Sequence, residues 1–299
     1  MIRRVLAAGA GLAALLAGCA PAPDAAPGLD VGADVVSPVR VDEGARALLP
    51  PDVRASGVLR FGSSAGTPPS AFYLPDNRTV VGQDIDVSEA VARVLGVRVQ
   101  RSEAAFDAIL PALDSGKYQV GTGNFGVTEQ RRRTVDFVTY VDDGQGFAVR
   151  QDSDLKPVTD VTQLCGRTIG TGAGTTFEAT LNAQRHRCAE VGRPPYQVLV
   201  FAESSAQFSA LQQGKVDALM STSNGLRYAV SQQPNLRFLN EFRHLEVGFA
   251  LRKGSPLAPA LQAAVNRLIA DGSYARILHK WGTDNSAIPR SRITPPEIR

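Results

Sequence analysis

Residues 106–140 read FDAILPALDSGKYQVGTGNFGVTEQRRRTVDFVTY, and the changes of period along this stretch decide the fold. Ile109, Leu110 and Leu113 recur at helical spacing, Gly116 is placed to end that helix, and Tyr118 and Val120 begin an extended run that emerges at Gly121-Thr122-Gly123-Asn124. A strand therefore ends on a flexible polar loop. Beyond Gly126, Thr128 with Glu129 reads as the start of a new helix, with Arg131 in its first turn. Free N–H groups and the dipole at a helix start favour anions, so a guanidinium beside them makes a carboxylate pocket. The alternative is that Arg131, Arg132 and Arg133 form a solvated basic face, as charge runs commonly do.

Toward the N-terminus, Val58-Leu59-Arg60-Phe61 reads as a strand running into Gly62-Ser63-Ser64-Ala65-Gly66-Thr67-Pro68-Pro69. Centred on Ser64, this contains the G-x-S-x-G of a hydrolase nucleophile elbow, but Pro68 and Pro69 forbid the helix that an elbow must enter. Gly82-Gln83-Asp84-Ile85-Asp86-Val87 opens a helix whose buried stripe is Val87, Ala90, Val91, Val94 and Leu95, capped by Gly96 before a strand at Val97 and Val99. Asp84 and Asp86 read as helix-start residues rather than paired catalytic carboxylates. Alternating helices and strands imply an α/β sheet.

Toward the C-terminus, Leu164-Cys165-Gly166-Arg167-Thr168-Ile169-Gly170 leads to Gly174-Thr175-Thr176-Phe177, a strand, a glycine-rich loop and a helix. Such a turn offers N–H groups and hydroxyls to an anion, yet it lacks the Lys-Ser/Thr that closes a P-loop. A helix from Ser205 to Gln213 follows, then a strand at Val216–Met220 and the loop Ser221-Thr222-Ser223-Asn224. Leu257, Leu261, Val265, Leu268 and Ile269 form one helical stripe, Gly272 breaks it, and Tyr274, Ile277, Leu278 and Trp281 continue it, with Trp281 as packing.

Together these segments resemble, in order, the polar amino-acid binders of ABC importers, the family 3 solute-binding proteins. The likeness runs from Val58 to Gly282 and rests on Ile109-Leu110-Pro111-Ala112-Leu113, Ser115-Gly116-Lys117, Thr128-Glu129-Gln130-Arg131, Asp136-Phe137-Val138-Thr139-Tyr140, the G-x-D-x-D at Gly82 and the G-K-x-D-A at Gly214. The resemblance implies a type II periplasmic-binding-protein fold: lobe one from 53–148 plus 247–287 and lobe two from 149–246, joined by crossover strands near 147–150 and 246–250. It places a solute cleft between the lobes. It also implies that Arg131 clamps a ligand carboxylate with the Gly123–Gly126 loop, including Asn124 and Gly126, while Gly174, Thr175 and Thr176 meet it from lobe two. Ser64, Thr67 and Phe72 are then candidate cleft residues, with core packing the equal alternative for Phe72. The chain departs at Thr222, where most of the family carries an aspartate for the α-ammonium, and at Ser64, where basic-amino-acid binders carry an acid; a ligand cation has no evident partner. The implied role is reversible binding of an amino acid or related small carboxylate, delivered to a permease and ATPase, with no catalysis, cofactor or metal. A sensory module of the same fold, or an enzyme on this scaffold, are the alternatives.

With 43% hydrophobic and 20% charged residues among 299, the composition is globular, and a net charge of +3 is too small for a nucleic-acid footprint. Arg3 and Arg4 precede an apolar run from Val5 to Leu16, too short to span a bilayer and ending Leu16-Ala17-Gly18-Cys19. This resembles a lipobox, so residues 1–18 read as a leader, Cys19 as the lipidated N-terminus on the outer face of the membrane, and 19–52 as a flexible linker. In that oxidising compartment Cys165 and Cys188 pair as a disulfide; a metal site with His186 is the competing reading, though its spacing fits no standard zinc pattern. The tail 288–299 is loose or laid along the surface, and a monomer is expected.

Overall fold

The computed structural model describes residues 29–298, so the leader and Cys19 lie outside it. Its strands are β1 (Val58–Ser63), β2 (Phe72–Tyr73), β3 (Val80–Val81), β4 (Arg98–Glu103), β5 (Val120–Thr122), β6 (Val135–Arg150), β7 (Thr168–Gly172), β8 (Gln197–Phe201), β9 (Ala218–Thr222) and β10 (Leu236–Arg252). Its α-helices are α1 (Glu43–Ala47), α2 (Pro51–Ser56), α3 (Gln83–Val94), α4 (Phe106–Asp114), α5 (Glu129–Arg132), α6 (Thr176–Gln184), α7 (Ser204–Gln212), α8 (Ser223–Gln232), α9 (Ala258–Ala270) and α10 (Ser273–Lys280). None of the described helices is long and apolar enough to cross a membrane.

One sheet runs β4-β1-β5-β10-β6-β9-β7-β8, and its two halves repeat one plan. In the first, parallel β4, β1 and β5 meet antiparallel β10; in the second, parallel β8, β7 and β9 meet antiparallel β6. The long antiparallel pair β6 and β10 belongs to both halves and is the only part of the sheet that joins them. Irregularities at Phe238/Asn240, Glu241/Arg243 and Val247/Gly248 bend this pair where the chain passes between lobes. At Gly146 in that passage a Cβ would come within 2.9 Å of the Phe238 ring and 3.1 Å of the Ser223 hydroxyl, so the close strand and helix approach depends on glycine.

Apolar layers cover both faces in each lobe. In lobe one, Leu59, Phe61, Val87, Val91, Leu261, Ile277 and Trp281 fill one face, and Ile109, Leu113, Phe125 and Phe137 the other. In lobe two, Phe147, Leu164, Ile169, Tyr196 and Met220 form one layer, and Leu211, Leu219 and Leu226 the other. Each fully buried side chain of this size contributes roughly 1.5–3 kcal/mol, which is why the periodic stripes of α3, α9 and α10 settle as they do. The Cys165–Cys188 disulfide, with Cα atoms 5.6 Å apart, staples the second lobe's buried layer and removes both sulfurs as metal ligands.

Three sequence expectations need correction. Within the stretch expected as linker, Val39, Ala45 and Leu49 are buried in the first lobe's core, and α1 lies within that stretch. These anchors are single residues on helices too short to show a period. Of the two alternatives for the tail, loose is the one overturned, since the segment is laid along the strands: Thr294 N–H bonds to Phe137 O, Ser291 Oγ donates to Thr139 O at 2.6 Å, and Arg292 pairs with Glu246 at 2.5 Å. The helix opened by Thr128 spans only Glu129–Arg132, because the chain turns directly into β6. It is too short for its dipole to hold an anion by itself, which leaves that task to side chains.

Candidate functional site

The carboxyl ends of β1, β4 and β5 face those of β7, β8 and β9, and ligands of open α/β sheets bind beyond such strand ends. Between them lies a cavity of about 380 Å³. Ser64, Thr67, Phe106, Asn124 and Arg131 line it from lobe one, and Thr175, Thr176, Gln207 and Thr222 from lobe two.

Thr128 caps α5 by accepting the Arg131 N–H at 3.2 Å, which fixes the backbone from which the guanidinium projects. Nη1 donates to Gly126 O at 3.2 Å in its own lobe, and Nη2 to Gly174 O at 3.0 Å in the other. The guanidinium also sits 5.6 Å from the centroids of Phe106 and Phe125, whose rings stack 4.7 Å apart. Burial lowers its pKa to about 10, so it stays charged at neutral pH, and among the described residues no carboxylate pairs with it. A desolvated cation held by carbonyls and aromatic faces retains unused capacity for an anion.

Opposite it, Thr175 caps α6, accepting Glu178 N–H at 3.2 Å and donating to Gly172 O at 2.7 Å. The first-turn N–H groups of α6 at Thr176 and Phe177 have no intrahelical acceptor, and both residues line the cavity. Thr222 is 9% exposed and its hydroxyl oxygen accepts Gly225 N–H at 3.1 Å, so it is engaged in capping α8. Thr67 Oγ1 and Ser204 Oγ meet across the lobes at 3.1 Å.

Asn124 lines the cavity, but its polar groups face inward. Its N–H donates to Asp84 at 3.0 Å and its side-chain amide to Asp143 at 2.8 Å, while Asp143 also accepts from Asn224 N–H at 3.2 Å. Both carboxyls are buried: Asp84 is raised to about 7 and Asp143 to about 6, desolvation being the largest cause of each. Gly126 and Gly174 are reached through their carbonyls by Arg131, and neither lines this cavity. Phe72 does not line it either. Its ring packs 5.9 Å from Trp281 and 6.2 Å from Tyr228, because β2 turns that edge toward α10 and α8.

The residues missed from the sequence are Phe106, Glu103, Glu203 and Gln207, which line the same cavity. The first opens the quoted stretch, just ahead of the helical stripe of Ile109, Leu110 and Leu113. Glu103 ends β4, Glu203 follows β8 and Gln207 lies in the first turns of α7, and the rule that ligands bind beyond parallel strand ends would have found this wall once the strand order was known.

The model of the family described as bacterial extracellular solute-binding proteins, family 3, matches residues 59–284. The arginine-binding protein ArgT of Corynebacterium glutamicum is 28% identical over 251 residues, covering 83% of this chain and 82% of its own. The ABC transporter glutamine-binding protein GlnH of Bacillus subtilis is 27% identical over 242 residues, covering 79% of this chain and 85% of its own. A solved ancestral arginine-binding protein bound to arginine superposes with a TM-score of 0.68 at 33% identity, covering 75% of this chain and 98% of that one.

Proposed function

Because this chain belongs to the family 3 bacterial extracellular solute-binding proteins, we propose that it is the extracytoplasmic receptor of an ABC importer, binding an amino acid or related small carboxylate between its lobes. The observation that carries this reading is Arg131: a charged, desolvated guanidinium without a carboxylate partner among the described residues, aimed into a two-lobed cavity. The ligand carboxylate docks on Arg131 and on the N–H groups of the first turn of α6, which reach it from opposite lobes. Only the closed arrangement supplies both, so the ligand free energy draws the lobes together about β6 and β10. The closed receptor then presents its solute to a permease and ATPase, tethered by lipid on Cys19; the mass of the mature N-terminal peptide reads that modification directly.

Calorimetry with the twenty amino acids tests the binding role. Arg131→Ala is expected to weaken the tightest ligand by about 2–5 kcal/mol, since the bound carboxylate loses its counter-charge in a desolvated site. Unchanged affinity in that variant would remove the carboxylate assignment and this reading with it.

A further inference from the structure

Thr222 supplies no charge, so the cavity's negative groups must lie elsewhere. Among the described lining residues they are Glu103 and Glu203, set against the single cation Arg131. A ligand carboxylate takes up Arg131 and leaves two glutamates, which an acidic ligand cannot balance and a zwitterion balances only in part. Glu203 precedes α7 as its N-cap residue but makes no capping hydrogen bond, and no ion pair involves it among the described residues.

One turn further along α7 stands Gln207, only 6% exposed yet lining the cavity. No hydrogen bond engages its side-chain amide among the described residues, although a buried amide ordinarily finds a partner. Its Nε2 lies 3.3 Å from where a Cβ on Gly172 would sit, at the end of β7 that also lines the cavity. The amide is therefore both nine-tenths buried and directed at the cavity. Topology puts this wall away from the carboxylate end: the β8 loop closes on Thr67 through Ser204, whereas Arg131 closes on the β7 loop through Gly174.

We infer that Glu203 and Gln207 form the subsite for a cationic side chain at the ligand's distal end, with Glu103 facing it from lobe one, so that the preferred solute is a basic amino acid. This rests on the proposed binding role and names its substrate class. Glu203 supplies the counter-charge and the Gln207 carbonyl oxygen accepts an N–H of the guanidinium or ammonium. The aliphatic stem crosses the Phe106 face, which already lies beside Arg131.

The test is calorimetry of the full chain with L-arginine and L-norvaline, which share the carboxylate, the α-ammonium and the aliphatic stem but differ in the distal cation. The wild type is expected to prefer arginine. Glu203→Gln and Gln207→Ala are each expected to weaken arginine about tenfold or more while leaving norvaline unchanged, a ratio that a merely structural defect would not move. A Gln207→Glu variant, which keeps the shape and adds a carboxylate, is expected to retain arginine binding. Arginine affinity within about twofold of wild type in both Glu203→Gln and Gln207→Ala would overturn the inference, as would a wild type that binds L-glutamine but not L-arginine. Either result leaves the receptor reading standing, which fails only on its own test at Arg131.

Discussion

Arg131 and Asp84 show how differently two charged residues can be buried in one protein. Arg131 was readable from its local setting, because the cap at Thr128 and the polar loop before it lie within one short stretch. Asp84 read only as a helix-start residue, yet it is fully buried and accepts the Asn124 backbone N–H, while the Asn124 side-chain amide donates to Asp143. Such a pairing, across 40 positions of chain, has no local sequence signature. Its consequence is a dependence of stability on pH. Burial raises Asp84 from 3.8 to about 7, and Asp143 to about 6, so the folded state holds protons that the unfolded state has released. Their contribution is therefore fully present below about pH 4 and is lost as pH rises toward 7, with a summed effect on the order of a few kcal/mol. Asp84→Asn keeps a carbonyl for the Asn124 N–H and cannot ionise. Its melting temperature is expected to fall less than that of wild type between about pH 5 and pH 8. Parallel melting curves for the two proteins across that range would show that Asp84 does not titrate there.

At the scale of elements, long amphipathic helices were legible and short anchors were not. The stripes of α3 and α9 repeat often enough to reveal their buried faces, whereas α1 and α2 have five and six residues and each buries a single one. The C-terminal segment was opaque for another reason: its contacts are backbone and side-chain hydrogen bonds and ion pairs to strands distant in sequence. Beyond Arg292 and its pair with Glu246, Glu297 bonds to Arg243 at 2.6 Å and accepts the Glu129 N–H at 2.7 Å, at the start of α5. This strap ties both crossover strands to the short helix that carries Arg131. Glu246 is 8% exposed, so removing Arg292 leaves a buried carboxylate short of its partner. Arg292→Ala is expected to destabilise by about 1–3 kcal/mol, the lower end reflecting the partly exposed arginine. Urea unfolding would read this as a lowered midpoint at constant slope, and an unchanged midpoint would show that the strap rests on the strands without stabilising them.

For the whole molecule the question is how closure is limited. The order of segments implied two lobes and two crossings, but not which loops touch when the lobes approach. Among the contacts that link the lobes, two border the cavity loops: Arg131 to Gly174 O, and Thr67 to Ser204. Gly174 is the tighter of the two sides. It has φ +69, and a Cβ there would lie 2.8 Å from Asp107 Cβ on α4, so any side chain strains the turn and pushes the lobes apart. In the open form the clash vanishes while the strain remains, and Gly174→Ala therefore acts against closure more than against folding. A penalty of about 1–2 kcal/mol confined to the closed state lowers ligand affinity roughly tenfold, since binding and closure share one equilibrium. Small-angle scattering of wild type saturated with its tightest amino acid is expected to show a smaller radius of gyration than the ligand-free protein. The Gly174→Ala protein at the same ligand concentration is expected to stay nearer the open value and to recover compaction only at higher concentration. If the variant binds and compacts as wild type does, the β7 loop is not where the lobes meet in the bound state, and Arg131 must reach the ligand without the Gly174 contact beside it.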